Sequence, residues 1–241
     1  MKRCNCGRYR VGSEYTVDQC RRCWKQSHDP RFQDNAPPLE DIPIKIISLP
    51  QRQDRRDVLL AELERAEVPN PIEVIPAING KLFDLPPGWP LAGAGAYGCH
   101  LSHCRVLINA IERNQTVWIW EDDAVLCPDF WPKMVGLWSK LPRGWQGLYV
   151  GGKHFKTPLP TDIPGVVRAV NIHLTHCYIV KPTMARKLLC AYDSTNDHID
   201  KLAHVAQQEL ATFAPTPFLV GQRSSFSDIA EIDYPQDRWW T

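Results

Sequence analysis

The stretch Thr116-Val117-Trp118-Ile119-Trp120-Glu121-Asp122-Asp123 sets five β-prone residues directly against three carboxylates. An apolar run without polar alternation suits a strand buried on both faces, as in parallel sheets covered by helices. In such sheets ligands bind at the carboxyl ends of the strands, which is where Glu121, Asp122 and Asp123 fall. Three adjacent carboxylates repel one another, so at the mouth of a core strand they cost stability unless a cation offsets them. Alternation places Glu121 and Asp123 on one side, able to share a hard divalent metal, Mn²⁺ or Mg²⁺, and with Asp122 to meet the ribose or phosphates of a nucleotide. Taken alone, an acidic triplet is more often a solvated turn.

The neighbouring segments supply the rest of a sheet. Ile44-Lys45-Ile46-Ile47-Ser48-Leu49 is a β-branched run closed by Pro50, and residues 54–66 follow with Leu59, Leu63 and Ala66 on one helical face. A second strand over residues 72–75 reaches a turn at Ala77-Ile78-Asn79-Gly80, and a loop rich in Pro and Gly runs to Gly95. Residues 101–113 are expected to be helical, with later strands at 147–150 and 177–180 and a helix over 182–189 that opens on Pro182. Strands alternating with helices at this spacing predict an α/β domain built on a mostly parallel, doubly wound sheet. No internal repeat is visible, and Arg238-Trp239-Trp240 is apolar enough to dock on a surface.

The chain has 241 residues, 28 Lys+Arg against 27 Asp+Glu, 21 Pro and 14 Gly. This balance argues against a basic nucleic-acid clamp, and the Pro and Gly content against a helical bundle. No apolar run approaches the length of a membrane span, and the N-terminus lacks the apolar core of a secretory signal, so a soluble, cytoplasmic protein is expected. A peripheral contact with a membrane is left open. Nine cysteines without an export signal favour reduced thiols or metal ligands over disulfides.

Cys4 and Cys6 precede Cys20 and Cys23 by a short spacer in a segment too small to bury a core of its own. Four thiolates around one structural Zn²⁺ would hold two knuckles together, so residues 1–28 are expected to form a zinc ribbon. Residues 29–43, with four prolines, follow as an extended linker, and the main domain covers 44–241.

From residue 44 to 229 the sequence resembles glycosyltransferase family 25, the lipopolysaccharide β-galactosyltransferases and procollagen galactosyltransferases, with its blocks in the family's order. Ile47-Ser48-Leu49 and Asp54-Arg55-Arg56 look like its opening strand and basic helix start. The Ala77-Ile78-Asn79-Gly80 turn is similar to its A-x-[DN]-G. Gly98-Cys99-His100-Leu101-Ser102-His103 resembles its G-C-x-x-S-H block, and Trp120-Glu121-Asp122-Asp123-Ala124 with Asp129-Phe130 its acidic block. Weaker likeness continues through Cys177-Tyr178-Ile179-Val180, where Lys181 stands in place of the usual Ser, to Ile199-Asp200, Gln222 and Ser227-Asp228-Ile229. Nothing in the family covers the cysteine ribbon.

The resemblance implies a GT-A type fold and inverting transfer of a sugar, a hexose in the named groups, from a nucleotide diphosphate sugar such as a UDP-sugar, usually with a divalent metal. Glu121 and Asp123 would hold that metal against the charge of the departing diphosphate. Arg55 and Arg56, at a helix start, offer planar donors for phosphate or base; the plainer account is surface arginines, one pairing Asp57. Ser102 and His103 precede the acidic strand and would face the donor, whereas His100 reads as structural. The general base that inversion requires is Asp200 by its match to the family's V-D dipeptide, with Asp228 second. Asp200 could equally be an acid at the N-terminus of a helix over 201–210.

The acceptor stays open: lipopolysaccharide or another surface glycan, a hydroxylated protein, or a hydroxymethylated nucleic-acid base. Residues 1–35 carry eight Lys/Arg and four Asp/Glu, and a zinc held by four thiolates removes two of those four surplus charges, so a nucleic-acid partner is not favoured. A non-catalytic GT-A-like binding module is the rival from another class. Elemental analysis of protein purified without chelator should find one ribbon zinc per chain, reduced in Cys20→Ser; a zinc-free parent refutes the ribbon.

Overall fold

A computed structural model describes residues 37–89, 93–194, 197–227, 229 and 232–240. The expected ribbon with Cys4, Cys6, Cys20 and Cys23, residues 29–36 of the linker, and Asp228 lie outside the described residues. The remainder of the linker already belongs to the folded body. Leu39 and Ile42 are buried, and the Asn70 amide donates to their carbonyls at 2.6 and 2.8 Å.

The expected alternation begins with β1 (Ile44–Ser48), α1 (Gln53–Arg65), β2 (Ile72–Pro76), α2 (Gly93–Glu112) and β3 (Val117–Glu121). The chain continues through β4 (Ala124–Leu126), α3 (Phe130–Trp138), β5 (Gly147–His154), β6 (Leu159–Pro160), β7 (Val166–Arg168) and β8 (Ile172–Val180). Then come α4 (Pro182–Ser194), α5 (Ile199–Glu209), β9 (Thr212–Pro215), β10 (Val220–Gln222), β11 (Ser225–Ser227) and β12 (Ile232–Tyr234). Among the described residues, no helix is long and apolar enough to cross a membrane.

Among the described residues, ten strands make one sheet, ordered β2-β1-β3-β8-β5-β9-β7-β6, with β10 joined to β5 and β4; β11 and β12 pair separately. β1 runs parallel to β2 and β3, and β5 parallel to β9 and β10, while β8 lies antiparallel between β3 and β5. Following the pairings, β1, β2, β3, β5, β6, β9 and β10 point one way and β4, β7 and β8 the other, seven against three. The sheet is therefore mostly co-directional, with one reversed strand through its middle. Apolar periodicity carries no sign of strand direction, so this reversal was invisible in the sequence.

Alternation along β3 explains why it reads as a continuous apolar run. Val117 and Ile119 pack into the core beneath α2, α4 and α5, whereas Trp118 and Trp120 pack into the core beneath α1 and α3. Phe130, at the start of α3, seats its ring 6.1 and 5.8 Å from those of Trp118 and Trp120. Both faces are covered, so no polar residue interrupts the strand until it leaves the sheet.

The turn after β2 and the helix α2 meet through two glycines. A Cβ on Gly80 would stand 1.8 Å from the Ala94 carbonyl oxygen, and one on Gly98 would stand 2.3 Å from that of Ile78. Ser102 locks the contact: its hydroxyl accepts from Ile78 N at 2.8 Å and donates to the Gly98 carbonyl at 2.7 Å. This close approach lets α2 begin at Gly93, several residues before the sequence predicts a helix. Since the obstructing atoms are backbone, Gly98→Ala should cost about 1–3 kcal/mol or more. A lower urea midpoint at unchanged slope is the expected result, and an unmoved midpoint refutes the contact.

Candidate active site

The carboxyl ends of β1, β2 and β3 open into a cavity of about 430 Å³. Alternation carries past the sheet edge and divides the acidic triplet between its two faces. Glu121, in step with Val117 and Ile119, turns toward α2, where its Oε1 lies 3.2 Å from His103 Nε2 and 3.4 Å from the Thr175 hydroxyl. Asp122, in step with Trp118 and Trp120, turns toward α1 and accepts from Arg55 Nη1 at 3.1 Å. The strand ends at Glu121, so Asp123 reaches the cavity by the turn that follows and not by the alternation expected for it.

Burial and charge sort the three carboxyls. Burial raises Glu121, but the His103 hydrogen bond and the charges of His103, His176 and His198 outweigh it and hold the carboxyl below its ordinary value. At Asp122 burial prevails over the lowering by Arg55 and by the Ser48 hydroxyl, so its value rises. Asp123 is pushed up to about 7 by burial and by the Glu121 charge, because Arg55 stands 3.8 Å away and is bonded more closely to Asp122.

Asp123 Oδ1 is buried with no hydrogen-bond partner. A divalent ion held by Glu121 and Asp123 would satisfy that oxygen and the repulsion together, and a carboxylate pair suits Mn²⁺ or Mg²⁺. The residues fit such a metal. Asp122, expected to meet the nucleotide, also lines the cavity and gives its Oδ1 to Arg55.

The other expected residues divide. Arg55 is buried at the cavity wall and also donates to the Phe226 carbonyl. Arg56 is not among the lining residues and reaches the Ser48 hydroxyl at 3.5 Å. Ser102 lines the cavity, yet its hydroxyl is committed to the turn after β2. His103 is fully buried between Glu121 and the Tyr178 hydroxyl, 2.9 Å from its Nδ1, which makes it a support for Glu121. His100 is buried beside Trp89 and Tyr192, and its value falls to about 4 through loss of solvent.

Asp200 is the second residue of α5, in its first turn, and the cap of the helix is His198: the Asp200 N–H donates to His198 Nδ1 at 3.3 Å. Its carboxylate Oδ1 accepts from Thr175 N at 3.1 Å and the Thr175 hydroxyl at 2.9 Å, while Oδ2 lies 3.6 Å from His198 Nδ1. Thr175 thus stands between Asp200 and Glu121 on the cavity wall.

Two participants carried no sequence signal of their own. Thr175 arrives on the reversed strand β8. Arg238 arrives because the expected docking of the Trp-rich tail takes place: its backbone pairs with Gln222 at 2.9 and 2.7 Å. Its guanidinium lies 3.6 Å from the centroid of the Tyr234 ring and faces the cavity.

Residues 41–141 match the family model described as Glycosyltransferase family 25 (LPS biosynthesis protein). The chain is 29% identical over 169 residues to human "Inactive glycosyltransferase 25 family member 3", covering 61% of this chain and 28% of that protein. It is 27% identical over 173 residues to human "Procollagen galactosyltransferase 2", covering 61% of this chain and 27% of that protein. The chain thus matches less than a third of either relative's length. Mouse xyloside xylosyltransferase 1, in its apo form, aligns at a TM-score of 0.37 and 10% identity over 70% of this chain and 68% of its own. The family match includes Arg55, His103 and the acidic triplet, while Asp200 and Arg238 lie beyond it.

Asp123 titrates near 7 when folded and at an ordinary 3.8 when unfolded, so across that window only the folded state keeps the proton. This group's contribution therefore declines as pH rises from about 4 to 7. Buried histidines with lowered values act oppositely, so the effect is read as a difference. In chelator, Asp123→Asn should gain stability over the parent as pH rises from about 4 to about 7, by up to roughly 1.4 kcal/mol per pH unit inside that window, and the difference should level off above it. A difference independent of pH in urea unfolding refutes the assignment.

Proposed function

We propose that this chain is a metal-dependent, inverting glycosyltransferase domain of GT-A type. It would move a hexose from a nucleotide diphosphate sugar, a UDP-sugar first, to a hydroxyl on lipopolysaccharide or another surface glycan. The observation that carries this is the orphaned Asp123 oxygen beside Glu121, at the carboxyl ends of three parallel strands. The family-25 match over the same segment supports it.

A Mn²⁺ or Mg²⁺ held by Glu121 and Asp123 would supply Lewis-acid stabilisation of the leaving diphosphate. Arg55 and Arg238 turn planar donors toward the same space, where they can bind phosphate oxygens. His103 fixes Glu121, and Ser102 fixes the turn beside it. The acceptor oxygen attacks the anomeric carbon as the bond from that carbon to the diphosphate breaks, and its proton passes to Asp200. Thr175 orients that carboxylate, and because His198 caps α5, Asp200 is not consumed by capping. Asp228 is the second candidate base.

The acceptor alternatives are a hydroxylated protein, suggested by the procollagen enzyme among the relatives, and a hydroxymethylated nucleic-acid base. A different reading, a non-catalytic GT-A-like module, draws on the relative named inactive and on Arg55, which already offsets part of the acidic triplet.

UDP-sugars with Mn²⁺ should raise the melting temperature of the parent, since a ligand that binds only the native state stabilises it. Donor hydrolysis or transfer should be lost in Asp123→Asn with the fold intact. In Asp200→Asn, transfer should drop by roughly 10²-fold or more while donor binding persists. Donor binding without turnover in the parent favours the non-catalytic module. Near-normal turnover in Asp123→Asn overturns the metal assignment, and in Asp200→Asn it moves the base to Asp228.

A further inference from the structure

The cavity wall on the α2 side holds three side chains of a different chemical kind. The ligand atoms of Cys99, His103 and Glu121 all lie within 4.8 Å of one another. Cys99 and His103 are four residues apart on α2 and therefore share a face one turn apart. Glu121 is brought against that face by the strand alternation that separates it from Asp122.

From this geometry we propose a second metal site at Cys99, His103 and Glu121, for a borderline divalent ion of the Zn²⁺ class. One sulfur, one imidazole nitrogen and one carboxylate oxygen favour Zn²⁺ or Co²⁺ over the hard ions suited to a carboxylate pair. Three protein ligands with the cavity on their remaining side match a zinc site that keeps an open position.

The supporting partners are already in place. The Tyr178 hydroxyl lies 2.9 Å from His103 Nδ1, which fixes the ring and leaves Nε2 as the ligand atom. The Thr175 hydroxyl, whose proton goes to Asp200 at 2.9 Å, lies 3.4 Å from Glu121 Oε1 and packs against it. The Nε2 contact with Glu121 at 3.2 Å holds both atoms where an ion would sit, and the ion would replace the proton they share. Cys99, only partly buried, points its thiol at the same space.

This site does not rest on the transferase reading, in which Cys99 has no role, and it is measured without activity. Because it shares Glu121 with the hard-ion position, Zn²⁺ bound here would compete with Mn²⁺ for that carboxylate.

The test uses the full chain, stripped with chelator and titrated with Co²⁺, with bound ion counted by equilibrium dialysis. Thiolate ligation gives a sulfur-to-cobalt charge-transfer band in the near ultraviolet. Any ribbon cysteines would bind cobalt as well, so the result is read by difference. Cys99→Ser should lose one ion per chain and the part of the band that belongs to it, and His103→Gln should lose the same ion. Cys20→Ser should keep it, and millimolar Mg²⁺ should not displace it. Cys99→Ser is close to isosteric and carries the test if His103→Gln fails to fold by circular dichroism. An unchanged ion count and band in Cys99→Ser, or displacement of the ion by Mg²⁺, overturns the proposal.

Discussion

Arg55 is only 8% exposed, and a guanidinium so placed must find its partners inside the protein. Asp122 and the Phe226 carbonyl provide them, tying the first turn of α1 to the end of β3 and to β11. An uncompensated buried charge costs about 3–5 kcal/mol, so these three elements stand or fall together. The rest of the cleft takes its electrostatics from how this cation is shared. Asp122 receives most of it and Asp123 little, which leaves Asp123 half-titrated near neutrality beside an ionised Glu121. Arg238, on the far side of the cavity, adds the second cation that faces this cluster.

Much of this was legible along β3. Its unbroken apolar run announced a strand covered on both faces, and the same period of two that buries Trp118 and Ile119 on opposite sides delivers Asp122 and Glu121 to opposite walls. The glycines and Ser102 were visible as motif residues, but their work is packing: Gly80, Gly98 and Ser102 let helix and turn touch, and only coordinates reveal that Ser102 has spent its hydroxyl there. Arg55 and Arg56 looked equivalent in sequence. The roughly 100° between consecutive helical residues separates burial from a partly exposed flank, and the identity of adjacent arginines carries no information about which one faces inward.

What sequence could not carry is long-range pairing. Thr175 reaches the acidic cluster because β8 runs backward between β3 and β5, and Arg238 reaches it because Gln222 pairs with its backbone and Tyr234 stacks on its guanidinium. Asp200 illustrates the same limit. Its helical position suggested a cap, whereas a histidine two residues earlier performs that task and frees the carboxylate to cross to another strand. In the sequence Cys99 is one residue of a family-like block, and its significance arises from two residues that meet it in space.

The placement of β8 has a consequence for how the molecule assembles. Strands β1 to β3 and strands β5, β9 and β10 share no edge of their own except through β8, which follows β3 by a long stretch of chain. Until residues 172–180 insert, two apolar strands present open edges, the exposure that invites mispairing with other chains. Loop closure over that distance is slow, as in other sheets dominated by non-local contacts. The strand that closes the seam also delivers Thr175 to the cleft, so the cleft is incomplete until the seam is closed. A chain whose β8 has not inserted would hold the acidic triplet without the wall that organises it.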